Sequence, residues 1–168
     1  MKLKKFFYNK VTSTNDIALE KIKSGILNGI IFSNFQTKGR GRYSRKWISM
    51  NGNLFVTVFF ELKKKIEIKK FTYLNCKLIN SILIKILKRK IYIKYPNDLL
   101  VNKSKICGIL QEIVSLNTKK IAIVGIGINV VSSPYINIYS TTFINKYIKK
   151  KVTKFKLFDL IKKIYEQN

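Results

Sequence analysis

Along this chain the apolar residues change their period several times, and each change predicts a change of element. Residues 3 to 11 read as a strand. Thr14 or Asn15 can then cap a helix from about Asp16 to Lys23, which Ser24-Gly25 stops. Gly29 to Phe35 reads as a second strand. Asn53 to Leu62, NLFVTVFFEL, reads as a long strand of aromatic and β-branched residues, followed by a turn over Lys63 to Lys65. From Ile68 to Lys88, the residues Phe71, Leu74, Leu78, Ile82 and Ile86 recur at helical spacing and predict the main amphipathic helix. Strands follow at Ile91 to Tyr95, Leu99 to Val101, Lys105 to Val114 and Lys120 to Val131, with a turn at Asn102-Lys103. Asn145 to Lys150 reads as a short helix, and Thr153 caps a last one, Lys154 to Glu166. No internal repeat or linker interrupts the pattern. The order predicts one α+β domain: a mixed, mainly antiparallel sheet with helices packed on one side.

Composition narrows the chemistry. With 168 residues, 46% of them hydrophobic, the chain can bury one core. Its longest apolar run, Ile121 to Val131, is about half of the ~20 residues a spanning helix needs. The start, MKLKKFFYNK, has basic residues but no apolar stretch of a signal peptide. Cys76 and Cys107 sit in apolar patterns without CxxC spacing, so the expectation is a soluble cytoplasmic protein with reduced thiols. There is no histidine, which excludes histidine-based triads and metal sites. With 8 carboxylates in all, chemistry here would rely on fixed positive charge and backbone amides.

Charge adds less than its size promises. Lys and Arg number 34, for a formal net charge of +26. Such a field favours anionic partners: nucleic acid, phosphorylated ligands or acidic proteins. Coding bias would give the same excess, since Lys, Ile and Asn are plentiful throughout, so charge alone does not choose a function.

Four stretches fit a core reading poorly. Ser13-Thr14-Asn15-Asp16 puts small polar groups at a strand-to-helix turn, where they can cap the helix or hydrogen-bond a small polar ligand. QTKGRGRYSRKW, residues 36 to 47, combines Gly39 and Gly41 with Arg40, Arg42 and Arg45. The glycines permit positive φ and close backbone approach, and the arginines supply forked donors suited to carboxylate or phosphate. The loop has neither GxGxxG nor GxxxxGK[ST], so it supports neither a dinucleotide fold nor a Walker loop; a solvated basic loop or an RNA-binding patch is the plainer alternative. Lys94-Tyr95-Pro96-Asn97-Asp98 fixes a lysine at a strand end that Pro96 stops, partly withdrawn from water and suited to charge developing on a phosphate; a snorkelling lysine beside an ordinary turn fits equally. Gly125-Ile126-Gly127-Ile128-Asn129 strips side chains from one face of a buried strand, so something else must lie against it.

In this order the four stretches resemble biotin protein ligases. The matches are Ser13-Thr14-Asn15, Gln36 followed by GRGRxxRxW at 39 to 47, KYPND at 94 to 98, Lys105 leading into CGILQE, and GIGINV. Two positions depart: Ser44 where the family usually has glycine, and Tyr95 where it usually has tryptophan. The resemblance implies a ligase that joins biotin to ATP, with Mg²⁺ on the phosphates, as biotinyl-5'-AMP. It then passes biotin to one lysine of a biotin carboxyl carrier protein, such as that of acetyl-CoA carboxylase. By the resemblance, Ser13, Thr14, Asn15 and Gln36 would hold the biotin ring, and Arg40, Gly41 and Arg42 would enclose carboxylate and adenylate. Lys94 would bridge acyl and phosphate oxygens, with Lys94, Arg42 and Arg40 as the catalytic cations. Arg45, Trp47 and Asn129 would lie near the nucleotide. No protein side chains are assigned to a metal. It also implies a catalytic domain over residues 1 to 168, without an N-terminal DNA-binding domain or C-terminal barrel, and with no specific DNA or membrane partner. Lipoate ligases and octanoyltransferases share the fold and are the rival enzyme reading; a basic nucleic-acid-binding module is the rival from another class.

Overall fold

A computed structural model describes residues 1–63 and 66–167. Seven strands form one sheet: β1 (Lys4–Val11), β2 (Gly29–Gln36), β3 (Leu54–Glu61), β4 (Tyr92–Lys94), β5 (Asp98–Val101), β6 (Ser104–Leu116) and β7 (Lys119–Ile128). Three helices join them: α1 (Thr14–Lys23), α2 (Ile68–Leu87) and α3 (Lys154–Gln167), with a short 3₁₀ turn at Ile144–Lys146 in place of the longer helix expected from 145 to 150. The expected turn over Lys63 to Lys65 lies outside the described residues at 64 and 65.

The spatial strand order is β1-β2-β3-β7-β6-β5-β4, and every pairing except β1 with β2 is antiparallel. That is the mixed, mainly antiparallel sheet expected. The placement of the helices needs one correction, because they do not all share a side. Two parallel neighbours cannot be joined by a tight hairpin, so the chain must cross over a face between β1 and β2, and that crossing is α1. Ala18 and Ile22 of α1 pack with Ile31, Phe59, Ile121 and Ile123. The larger core lies on the opposite face, where Val56, Val58, Val124 and Ile126 meet Ile79 and Leu83 of α2 and Leu157 and Ile161 of α3.

Side chains alternate across a strand, so one strand can serve both faces. On β3, Leu54, Val56 and Val58 face the large core, while Phe55, Thr57 and Phe59 face the α1 side. Nothing in this run is left to solvent until Phe60. On β7, Ile121 and Ile123 pack under α1, and the same face continues as Gly125 and Gly127. The sheet therefore passes from a packed surface to a bare one along a single strand. The site occupies the bare part.

Candidate active site

The turn into α1 arrives over the bare strip. Its N-cap position is Ser13, not Thr14 or Asn15 as the sequence led us to expect, and Ser13 makes no side-chain capping bond. Freed from capping, the next two side chains turn inward. The Thr14 backbone N–H donates to Oε1 of Gln36 at 2.8 Å, and the Thr14 hydroxyl lies 3.0 Å from the same oxygen and 2.8 Å from the Thr57 hydroxyl. Thr57 of β3 donates to Oδ1 of Asn15 at 2.7 Å, and Asn15 Nδ2 donates to Glu112 of β6 at 2.7 Å. Gly125 has no room for a side chain, since a Cβ there would collide with the Asn15 amide.

Trp47 fills the rest of the strip. A Cβ at Gly127 would come within 2.5 Å of the indole ring, and one at Gly108 within 2.7 Å. The paired glycines thus do what their spacing implied, and the occupants are Asn15 and Trp47. The indole N–H of Trp47 is buried without a hydrogen-bond partner among the described residues, so the wall carries an unpaired donor.

The arginine loop is a tight hairpin. Arg40 bridges to Lys46, the Gly41 N–H donates to the Arg45 carbonyl at 2.7 Å, and the Trp47 N–H donates to the Gly39 carbonyl at 2.9 Å. Positive φ falls on Tyr43 (54°) and Ser44 (58°), not on Gly39 or Gly41. The first two glycines serve close approach instead: a Cβ on Gly39 would sit 2.6 Å from the Trp47 carbonyl. Ser44 stands where glycine would be least strained, which gives that departure a physical meaning.

The arginines are not equivalent. Arg40 forms a fork with Glu112, Nη1 to Oε1 and Nη2 to Oε2 both at 3.0 Å, and Nη2 also reaches Asp16 at 2.9 Å. Burial pulls its pKa down, but the hydrogen bond and charge of Glu112, with Asp16 behind, outweigh this and raise it. Arg42 instead lies over Tyr43, its guanidinium 4.8 Å from the ring and donating to the hydroxyl at 3.1 Å.

One cavity of about 160 Å³ gathers Ser13, Thr14, Asn15, Gln36, Arg40, Gly41, Arg42, Arg45, Trp47 and Lys94 in its wall, together with Gly125 and Gly127. Asn129 is not in that wall. It is buried, donates to the Thr142 carbonyl at 3.0 Å, and lines a smaller neighbouring cavity beside Trp47 and Lys105. Lys94, expected to be partly withdrawn from water, is exposed at the rim. The withdrawn lysine is Lys105, with 16% of its side chain exposed. It is held by Asp98 at 2.8 Å and lies between the rings of Trp47 (5.5 Å) and Tyr139 (5.4 Å). In the sequence Lys105 stands out only as the residue leading into CGILQE, and the signal for Thr57 is a polar residue inside NLFVTVFF. Tyr95 is 59% exposed and absent from the cavity wall, so that departure does not shape it.

The chain is similar to known proteins over most of its length. The bifunctional ligase/repressor BirA of Bacillus subtilis is 32% identical over 133 residues, 76% of this chain and 41% of that protein. Biotin–protein ligase 2 of Arabidopsis thaliana is 28% identical over 71% of this chain and 38% of its own length. The chain therefore spans about two fifths of these relatives. Among solved structures, biotin protein ligase from Leishmania major in complex with biotinyl-5-AMP superposes with a TM-score of 0.81 at 27% identity, covering 96% of this chain and 72% of the other. The Aquifex aeolicus enzyme in complex with biotin and ATP gives 0.82 at 25%, over 98% and 69%. Residues 7–129, which span the α1 turn, the arginine loop, the lysine-bearing strands and the glycine strip, match the profile of one family, and this chain belongs to it: the biotin/lipoate A/B protein ligase family.

Proposed function

We propose that this chain activates biotin with ATP as biotinyl-5'-AMP, releasing pyrophosphate, and transfers biotin to a lysine of an acidic biotin carboxyl carrier protein. The observation that carries this reading is the joining, in one cavity, of a neutral polar cradle and a cationic wall. Ser13, Thr14, Asn15 and Gln36 form the first, and Arg42, Arg45, Lys94 and Lys105 the second. A ligand with an amide-like head and a carboxylate tail suits such a cavity. The Leishmania and Aquifex enzymes, which superpose over nearly the whole chain, hold biotinyl-5-AMP in one case and biotin with ATP in the other.

The chemistry suits a site without histidine. A carboxylate is already a nucleophile at neutral pH, so its attack on the α-phosphorus of ATP needs no base. It needs alignment and neutralisation of crowded negative oxygens. Lys105 is the best-placed fixed charge, since Asp98 and two rings hold its ammonium in place; exposed Lys94 and Arg42, stacked on Tyr43, add further positive charge to the wall. Mg²⁺ would be carried on the nucleotide's phosphates, where it would neutralise charge beside these cations. In transfer, the carrier's lysine amine attacks the acyl carbon and AMP leaves. Free, buried Cys76 and Cys107 support a reducing, cytoplasmic setting.

Biotin-dependent exchange of pyrophosphate into ATP tests this reading. Exchange should appear with biotin and MgATP, and not with lipoate or octanoate. Exchange with lipoate alone would move the chain to the other branch of its family, and no exchange with any of the three acids would end the reading.

A further inference from the structure

Glu112 closes the CGILQE stretch, and the resemblance assigned it no role. It sits on β6 with about a third of its side chain exposed, and both carboxylate oxygens are engaged. Arg40 forks onto both, and Asn15 Nδ2 donates to Oε2. Among the described residues Glu112 is the one group that touches both side chains. Asp16 binds Arg40 but not the Asn15 amide.

Its chemistry sets a direction. A carboxylate only accepts, so Asn15 must present Nδ2 to it and Oδ1 to Thr57. The Thr57 hydroxyl gives its one proton to Asn15 and accepts from the Thr14 hydroxyl 2.8 Å away, while the Thr14 backbone N–H donates to Gln36. The contacts therefore run unbroken from Gln36 through Thr14, Thr57, Asn15 and Glu112 to Arg40, across four elements and the loop. Glu112 joins the cradle half of that series to the loop half.

We propose that Glu112 is a positioning residue that sets the cradle and the arginine loop together, orienting Asn15 with one hand and anchoring the loop through Arg40 with the other. A purely structural role accounts for this placement less well. Glu112 belongs to neither apolar core, and half-exposed ion pairs contribute little to stability. A forked, charge-assisted contact is well suited to fixing orientation. The ligand side of this inference rests on the proposed function; the loop side does not.

Trp47, the chain's only tryptophan, reports on the loop, since its backbone N–H donates to the Gly39 carbonyl beside Arg40. Glu112→Gln keeps the shape but removes the charge and sets an amide donor among donors. It should leave the melting temperature near wild type, raise acrylamide quenching of Trp47 fluorescence without any ligand, and weaken biotin binding by about 10-fold in calorimetry. Thr57→Val removes the donor to the Asn15 amide oxygen and leaves Arg40 alone. It should weaken biotin binding while Trp47 quenching stays at the wild-type level. Wild-type quenching and affinity in Glu112→Gln would overturn the proposal, as would equal exposure of Trp47 in Thr57→Val. If Glu112→Gln does not fold, Arg40→Lys keeps the charge without the fork: freer Trp47 supports the anchoring, and unchanged Trp47 overturns it. Failure of the wild type to bind biotin would sink the proposed function, while the quenching arms, which need no ligand, still decide the coupling.

Discussion

Lys94 and Lys105 compete for one role, and their surroundings separate them. Lys94 ends β4 and is exposed at the rim; Lys105 is ion-paired to Asp98, flanked by two aromatic rings and mostly withdrawn from water. Fixed donors in a site shielded from water stabilise developing charge far better than mobile, hydrated ones. Lys105→Ala should therefore cut adenylate formation by ~100-fold or more, and Lys94→Ala by roughly 10-fold. Pyrophosphate exchange in the two variants measures this, and the reverse order would return the central role to Lys94. Both lysines are plain in the sequence. Their difference in exposure is not, because it depends on Trp47 and Tyr139, which reach Lys105 from 58 and 34 residues away in the chain.

Among elements, β7 does the most to define the site. Its α1 face changes from Ile121 and Ile123 to Gly125 and Gly127, and that one change turns a packing surface into a platform for Asn15 and Trp47. Gly125→Ala adds a single methyl against the Asn15 amide, on a strand paired on both edges by β3 and β6 that cannot easily shift. The expected outcome is a folded protein destabilised by about 1–3 kcal/mol, as for other overpacked sites. Asn15 should be displaced and biotin binding weakened by about 10-fold or more, a loss equivalent to about one hydrogen bond. A thermal melt with calorimetry separates the two effects, and unchanged affinity would show that Asn15 does not hold the ligand. The spacing of these glycines was legible in the sequence as a bare face. What lies on it was not, since α1 is brought there by the crossover between two parallel strands.

At the scale of the molecule, the +26 charge acts on whatever approaches. An acidic carrier would be steered within a Debye length of ~8 Å at physiological salt. Carrier biotinylation should then fall steeply between low and physiological ionic strength, while adenylation, which occurs inside the cavity, falls less. Measuring both steps across a salt series tests this, and transfer indifferent to salt would leave the charge without a role in docking.

The sequence by itself determined the elements and most of the site. Helical and strand periods are local properties, so α2, α3 and the strands lie close to where their patterns put them, and the four unusual stretches converge on one cavity. Three things were decided only by the tertiary structure. The parallel pairing of β1 with β2 put α1 opposite the other helices, because which strands become neighbours is a non-local choice. Side-chain partners followed from that packing: Arg40 turned to Asp16 and Glu112, and Asn129 went into a buried bond outside the main cavity. The third was the division of labour between glycine and its neighbours in the arginine loop, where positive φ fell on Tyr43 and Ser44 while Gly39 made room for the Trp47 carbonyl. Residue types declare what a position can do. Only the fold, by choosing neighbours, settles which of those capacities is used.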